Sequence, residues 1–400
     1  MENRKKIYRV VMLIFIVALI TFMLTSVFIY NKLERNTFSY GISSIIDSKV
    51  LSKIYAIKQI INENYLLEYD NENLENGIIK GYVNGIGDEY TEYFTADEMK
   101  SFITDTEGNY EGIGIYMVNY IKDNSIVVIQ PIEGSPAEKV GILPGDVIKK
   151  VDGIEYLGEQ IDEMSSYIKN KKEKEIKLEI ERNGQIIEVV VEKCNVKIHP
   201  IKYKTLENNI GYIKITAFDE ECSSQFKNAY EELEKNNIES LIIDLRDNGG
   251  GLLSETLQVA NYILDKKSTV LITIDKEGKE CVETTNQNPI VDVPIVILTN
   301  ENTASASEVL TAALKENNKA VVVGEKTYGK GVIQELISFS DGSGMKITTE
   351  EYLTPNRNRI NKIGITPDKE VKLDEGETLY TITEEEDNLL NEAVQILQSK

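Results

Sequence analysis

One stretch of the chain, the 21 positions from Val10 to Tyr30, carries no charge and is dominated by Val, Leu, Ile, Phe and Met. That is enough helix to cross a bilayer core of about 30 Å. No small-x-small site follows it, so the pattern predicts an uncleaved anchor rather than a removed signal peptide. Residues 31–99 then read as a helical region. Ile54, Ile57, Ile60 and Ile61 recur at helical spacing on one side, and Leu74, Ile78, Ile79, Tyr82 and Val83 on another, until Gly85 and Gly87 break the run. Thr95, with Glu98 three positions later, marks the start of a further short helix. Over 100–193 the period shortens to two. Strands are predicted at 113–118, 126–130, 147–151, 177–182 and 186–192, with short helices near 136–140 and 160–169. Tight turns fall at Gly145-Asp146, Asp152-Gly153 and Asn183-Gly184. From 194 to 400 strand and helix alternate: 210–215, 222–235, 241–245, 252–266, 270–274, 294–299, 306–315 and 320–323, with a hairpin turning at 341–344. This rhythm predicts parallel βαβ units. The expected fold class is therefore α/β, carrying an inserted, mostly β module, a helical N-terminal region and one N-terminal transmembrane helix.

Charge sharpens this picture. The chain carries a formal charge of −22, yet residues 1–30 hold Arg4, Lys5, Lys6 and Arg9 against Glu2 alone, which leaves −25 on the remainder. The basic cluster places residues 1–9 in the cytoplasm and sends 31–400 across, so the expected location is the cell membrane, single-pass, with the folded part extracytoplasmic. A surface that acidic repels phosphate backbones, which excludes nucleic acid as a partner. Cys194, Cys222 and Cys281 are too few and too scattered for a disulfide framework or a zinc site, though a single bridge stays open. His199 is the sole histidine and lies in the linker before the α/β domain, where a histidine triad is hard to build from it, and an H-E-x-x-H zinc site, which needs two, is excluded. No metal and no cofactor are expected.

Three predicted strand ends carry unusual residues: Arg246-Asp247-Asn248-Gly249-Gly250-Gly251, Thr303-Ala304-Ser305-Ala306-Ser307-Glu308, and Tyr328-Gly329-Lys330-Gly331. Right-handed crossovers put the carboxyl ends of parallel strands along one edge, so these segments should meet. Ser305 opens a helix, where a serine is far more often a cap, and Glu308 completes the capping-box pattern. The crowding of small residues at 303–307 is what that reading leaves unexplained. Ser307 is the rival nucleophile, but two helical positions turn a side chain by about 200°. Gly324 to Lys330 fits the phosphate-loop spacing but ends in Gly331 and a strand instead of Ser or Thr and a helix. A lysine serves as a base only where burial lowers its pKa, and Gln334, four positions on, is placed to orient the Lys330 amine. An oxyanion needs two fixed donors: the N–H of Ala306 at a helix start is one candidate, and Gly249 or Gly250 the other.

Taken together, Thr303-Ala-Ser-Ala-Ser-Glu308, Val323-Gly-Glu-Lys-Thr-Tyr-Gly-Lys-Gly331 and Gln334 resemble the carboxyl-terminal processing peptidases, or tail-specific proteases. The likeness extends to Asp244-Leu-Arg-Asp-Asn-Gly-Gly-Gly251, Gly364-Ile-Thr-Pro-Asp368 and Glu75 to Tyr90, with Asn-Gly-Gly-Gly standing where many relatives have Asn-Pro-Gly-Gly. The resemblance implies a crotonase-like core over 194–400 with a C-terminal helix, with Ser305 as nucleophile, Lys330 as general base and Gln334 as its orienter. It also implies a PDZ domain over 100–193. Gly112, Ile113, Gly114 and Ile115 would bind a peptide carboxylate there, and the substrate tail would add as a strand beside 113–118. Expected partners are proteins or peptides with accessible C-termini, while assembly with copies of itself stays open. Two competing classes are a catalytically inactive, membrane-tethered PDZ scaffold and an acyl-CoA enzyme.

Overall fold

The computed structural model describes residues 48–106, 109–120, 123–132, 134–197, 199–374, 379 and 382–399. Two compact units divide at Glu75/Asn76. The first, as far as it is described, contains helix Ser48–Asn64 and the opening of helix Asn71–Asn84. The second, residues 76–400, holds everything that bears on function.

At its centre lies a six-stranded sheet. Ile210–Ile215, Ser240–Asp244, Ile295–Thr299, Ala320–Gly324 and Lys369–Glu370 run parallel, and Ile201–Leu206 closes one edge antiparallel. Ser240–Asp244 and Ile295–Thr299 are buried at every position, as strands covered on both faces must be. Helices Cys222–Lys235, Leu253–Ile263 and Ala306–Glu316 pack on one face around Phe226, Leu310 and Ile297. On the other face Leu389, Leu390, Ala393 and Leu397 of helix Asn388–Gln398 cover Ile242, Val296 and Val323. The parallel order leaves the three chemically unusual loops along one edge, as expected.

A second sheet joins Glu92–Phe94, Gly344–Leu353, Thr269–Asp275 and Glu280–Thr284, with Val332–Ser338 paired to Gly344–Leu353. Here the reading from sequence needs correcting. Thr269–Asp275 is not a member of the parallel sheet: Ile295–Thr299 takes the place beside Ser240–Asp244, and Thr269–Asp275 turns to pair antiparallel with Gly344–Leu353.

Residues 113–191 enclose a hydrophobic core of their own around Ile126, Ile148, Met164, Leu178 and Ile180. Its sheet runs in the order Ile115–Tyr120, Ser125–Pro131, Val147–Val151, Glu175–Arg182, Gln185–Glu192, and helix Ile161–Asn170 packs against it through Met164 and Ile168. Asn183 and Gly184 both take positive φ, 52° and 75°, as the tight hairpin requires. The chain enters and leaves this module through two paired strands, Asn109–Gly112 and Cys194–Lys197, with Gly112 opposite Cys194.

The expected architecture is also corrected at its N-terminus. Among the described residues no helix is long and apolar enough to cross a membrane. The span expected at 10–30 lies outside the described residues, and the described residues form a mixed α/β structure with no helix long and apolar enough to cross a membrane.

Candidate active site

Ser305 sits at the N-terminus of helix Ala306–Glu316 with φ 56° and ψ −119°. A non-glycine residue held at positive φ is strained, and such strain persists only where the surroundings impose it. Two neighbours do so here. The Glu308 carboxylate accepts the Ser305 N–H at 2.9 Å. Gly250 lies so close that a Cβ there would come within 2.9 Å of the Ser305 Cβ and the Ala304 carbonyl oxygen. The capping box is thus half used: the Glu308 N–H goes to the Ser305 carbonyl oxygen at 2.8 Å, and the serine side chain makes no cap hydrogen bond. The hydroxyl instead faces the Tyr352 phenol. Ser307 is fully buried and donates its hydroxyl to the Asn248 carbonyl at 3.0 Å, which removes it as a nucleophile.

Glu308, with no exposed surface, is the hub of the site. One carboxylate oxygen accepts from the Thr327 hydroxyl at 2.6 Å and the Gly329 N–H at 2.8 Å; the other accepts from the Lys330 N–H at 2.8 Å besides Ser305. Four donors compensate the burial of one charge, and they bind the serine turn to the lysine loop. Asn248, also fully buried, does the same for the glycine loop. Its carbonyl accepts the Ala304 N–H at 3.0 Å, and its side chain holds the Ile215 carbonyl and the Gly250 N–H.

Ser305, Lys330 and Gln334 line one cavity of about 450 Å³, whose walls include Phe102, Leu253, Val309 and Ile333. Burial, and after it the nearby Lys346 ammonium, push the Lys330 amine below the ordinary lysine range despite Asp88, Glu308 and Glu89. Its Nζ lies 4.7 Å from the centre of the Tyr90 ring, and its backbone carbonyl accepts the Tyr352 hydroxyl. No hydrogen bond joins it to Ser305 or Gln334 among the described residues. The Gln334 amide donates instead to Thr348 Oγ1 at 3.3 Å and the Val332 carbonyl at 3.4 Å. The pairing of this strand shifts register between Ile333 and Gln334, and Val332 lines the same cavity as Lys330 and Gln334.

The glycines separate by their hydrogen bonds. The Gly250 N–H is taken by Asn248 Oδ1 at 2.8 Å. Gly249 lines the cavity and has open space where a Cβ would stand. Among the described residues no protein group accepts from the N–H of Gly249 or Ala306.

In the inserted module Gly112 ends the entry strand, and Ile113 is buried with its carbonyl accepting from Ala137. Gly114 takes φ 78°, with Ser135 only 2.3 Å from where its Cβ would lie. Ile115 begins an edge strand at 115–120, two residues later than expected. His199 is remote from this chemistry, against Gln225, and the three cysteines are free.

A model of peptidase family S41 matches residues 209–371, and a PDZ domain model matches residues 127–182. A protein named "Probable CtpA-like serine protease" from Staphylococcus aureus strain COL is 36% identical over 338 residues, covering 84% of this chain and 68% of its own length. The chain belongs to peptidase family S41. Its S41 relative of the same name in Staphylococcus haemolyticus is 36% identical over 323 residues, 80% of this chain and 64% of that protein; the chain spans roughly two thirds of the length of these relatives. Among solved structures, the photosystem II D1 C-terminal processing protease superposes with a TM-score of 0.52 at 27% identity, covering 80% of this chain and 86% of that one. An S41 protease from Bacteroides fragilis reaches a TM-score of 0.58 at 16% identity over 84% and 92% of the two chains, a likeness of fold. The S41 site holds three residues whose parts sequence reasoning missed. Glu308 was legible only as a cap, although a charged residue followed by Val309-Leu310 is a signal of a buried role. Tyr90 and Tyr352 lie on other segments, and nothing in the chain's periodicity directs them to the lysine.

Proposed function

We propose that the chain hydrolyses peptide bonds through an acyl-enzyme on Ser305, with Lys330 as the base, on extracytoplasmic proteins recruited by their C-terminal tails. The observation that carries this is the strained Ser305 turn, with an uncapped hydroxyl at the mouth of a cavity that also holds a partly desolvated lysine.

The lysine swings from the Tyr90 ring toward Ser305 as substrate enters, since catalytic hydrogen bonds often form only in the complex. Neutral Lys330 takes the hydroxyl proton as Oγ attacks the scissile carbonyl. The N–H groups of Ala306 and Gly249 stabilise the tetrahedral oxyanion, with the helix start adding its positive end. Lys330 then protonates the leaving amine, and water, deprotonated by the same lysine, releases the acid. Gln334 orients the amine once Thr348 gives up its amide. In the PDZ domain the tail adds alongside the edge strand Ile115–Tyr120, with its carboxylate on the N–H groups of Ile113 and Gly114.

Incubation of the full chain with an unfolded protein ending in an apolar residue, beside Ser305→Ala and Lys330→Ala, tests the dyad. Cleavage by the wild type that both variants lose is expected. Cleavage surviving in Lys330→Ala would remove the lysine from the mechanism.

A further inference from the structure

Lys330 carries an ammonium with no hydrogen bond from its Nζ among the described residues, although acceptors lie close by. The Tyr90 ring is set against it, 4.7 Å from Nζ to ring centre. That ring is held in place from both sides. The Tyr90 N–H and the Thr91 hydroxyl bond to Asp88 at 3.3 and 2.5 Å, the Thr91 Oγ1 accepts the Thr348 N–H at 3.1 Å, and strand Glu92–Phe94 pairs with Gly344–Leu353. The Tyr90 phenol reaches Glu89 and Tyr328, the latter on the lysine loop itself. Thr348 is also the group that occupies the Gln334 amide. The segment 88–94 therefore docks where it controls both the lysine and its orienter.

We infer that Tyr90 is a positioning residue for Lys330: its ring face holds the ammonium away from Ser305 in the substrate-free site and favours the protonated form of the base. This rests on the dyad proposed above. The ring's negative face attracts a cation and not a neutral amine, so the charge-bearing state is the one held. The other charged groups around Nζ are accounted for: Asp88 and Glu89 on the same turn and Glu308 on the serine helix act in the same direction as Tyr90, while Lys346 on Gly344–Leu353 and burial act against it.

The test is the pH dependence of Ser305 modification by a fluorophosphonate, read alongside kcat/KM for an unfolded protein, in the full chain and in Tyr90→Leu and Tyr90→Phe. Losing the ring should move the acid limb to lower pH by about half a unit, while Tyr90→Phe, which keeps the ring and loses the hydroxyl, should leave it in place. Thermal unfolding reports whether each variant is folded, and Tyr90→Met carries the same comparison if the leucine variant is not. An acid limb unmoved or raised by Tyr90→Leu, or moved as far by Tyr90→Phe, overturns the assignment. The dyad fails separately, and this inference with it, if the wild type is not modified at Ser305 or if Lys330→Ala is modified equally fast.

Discussion

A single carboxylate decides whether the S41 site is assembled. Each oxygen of Glu308 accepts two donors, so Glu308→Gln keeps the volume but, whichever way the amide turns, sets an NH2 against at least one backbone N–H that can only donate. We expect unfolding free energy to fall by about 2–4 kcal/mol and kcat to drop on the order of 10²-fold as the serine and lysine loops separate; urea unfolding and turnover measure the two. The glycines give a sharper contrast. Gly249→Ala meets open space and should fold normally, with its methyl intruding on the cavity, whereas Gly250→Ala collides with the Ser305 turn at a φ of 105°. The expected result is a normal melting temperature with altered kcat/KM for the first and a lowered melting temperature for the second. Ser305 itself is constrained too. With φ at 56° a β-branched side chain is strongly disfavoured, so Ser305→Cys should still react with a thiol-directed reagent while Ser305→Thr should lose activity. The pH dependence follows from Lys330. In the proposed dyad its amine must be neutral to accept the hydroxyl proton, and burial lowers its pKa, so activity should rise with pH through a limb below the ordinary lysine value of about 10.4.

At the scale of elements, most of what the sequence reading marked as helix or strand appears within a few residues, because burial imposed clear periods: Cys222–Lys235 and Ile210–Ile215 are found at the predicted bounds. What could not be read was pairing. Val270–Ile274 is as apolar as its neighbours, and nothing in its composition says that Gly344–Leu353, some 70 positions later, will claim it. The irregular step at Ile333/Gln334 was equally invisible. That the three strand-end loops would meet, by contrast, was legible, because right-handed crossovers put the carboxyl ends of parallel strands along one edge. The C-terminal helix adds an element whose anchor is electrostatic. Asp387 caps it through the Leu390 N–H and also bonds Arg246, which is nearly fully buried and forks onto Asp244. Asp387→Ala removes a cap and one partner of a buried cation, and should cost about 2–4 kcal/mol, measured by urea unfolding.

For the molecule as a whole, each core carries a buried aspartate paired with an arginine: Asp244 with the buried Arg246 in the peptidase, and Asp146 with a bidentate, partly exposed Arg182 in the PDZ domain. Burial alone would raise both carboxyls, but the guanidinium in each case holds them below the usual aspartate value. A depressed folded-state pKa stabilises above the unfolded value of about 3.9 and is lost as pH falls through the lower folded one. Resistance to urea should therefore hold near neutrality and decline below about pH 4 in both cores, followed separately by PDZ tyrosine and catalytic probes. The neck between them is narrow: one strand enters, one leaves, and Gly112 lies opposite Cys194. Paired strands are about 4.8 Å apart, so a two-residue Asn-Gly turn joining Gly112 to Cys194 should replace the PDZ domain and leave Ser305 reactive. The same neck behaves as a socket. A recognition head whose own ends lie one strand spacing apart can be exchanged there without disturbing the blade, which lets the choice of what is cut evolve independently of the cutting.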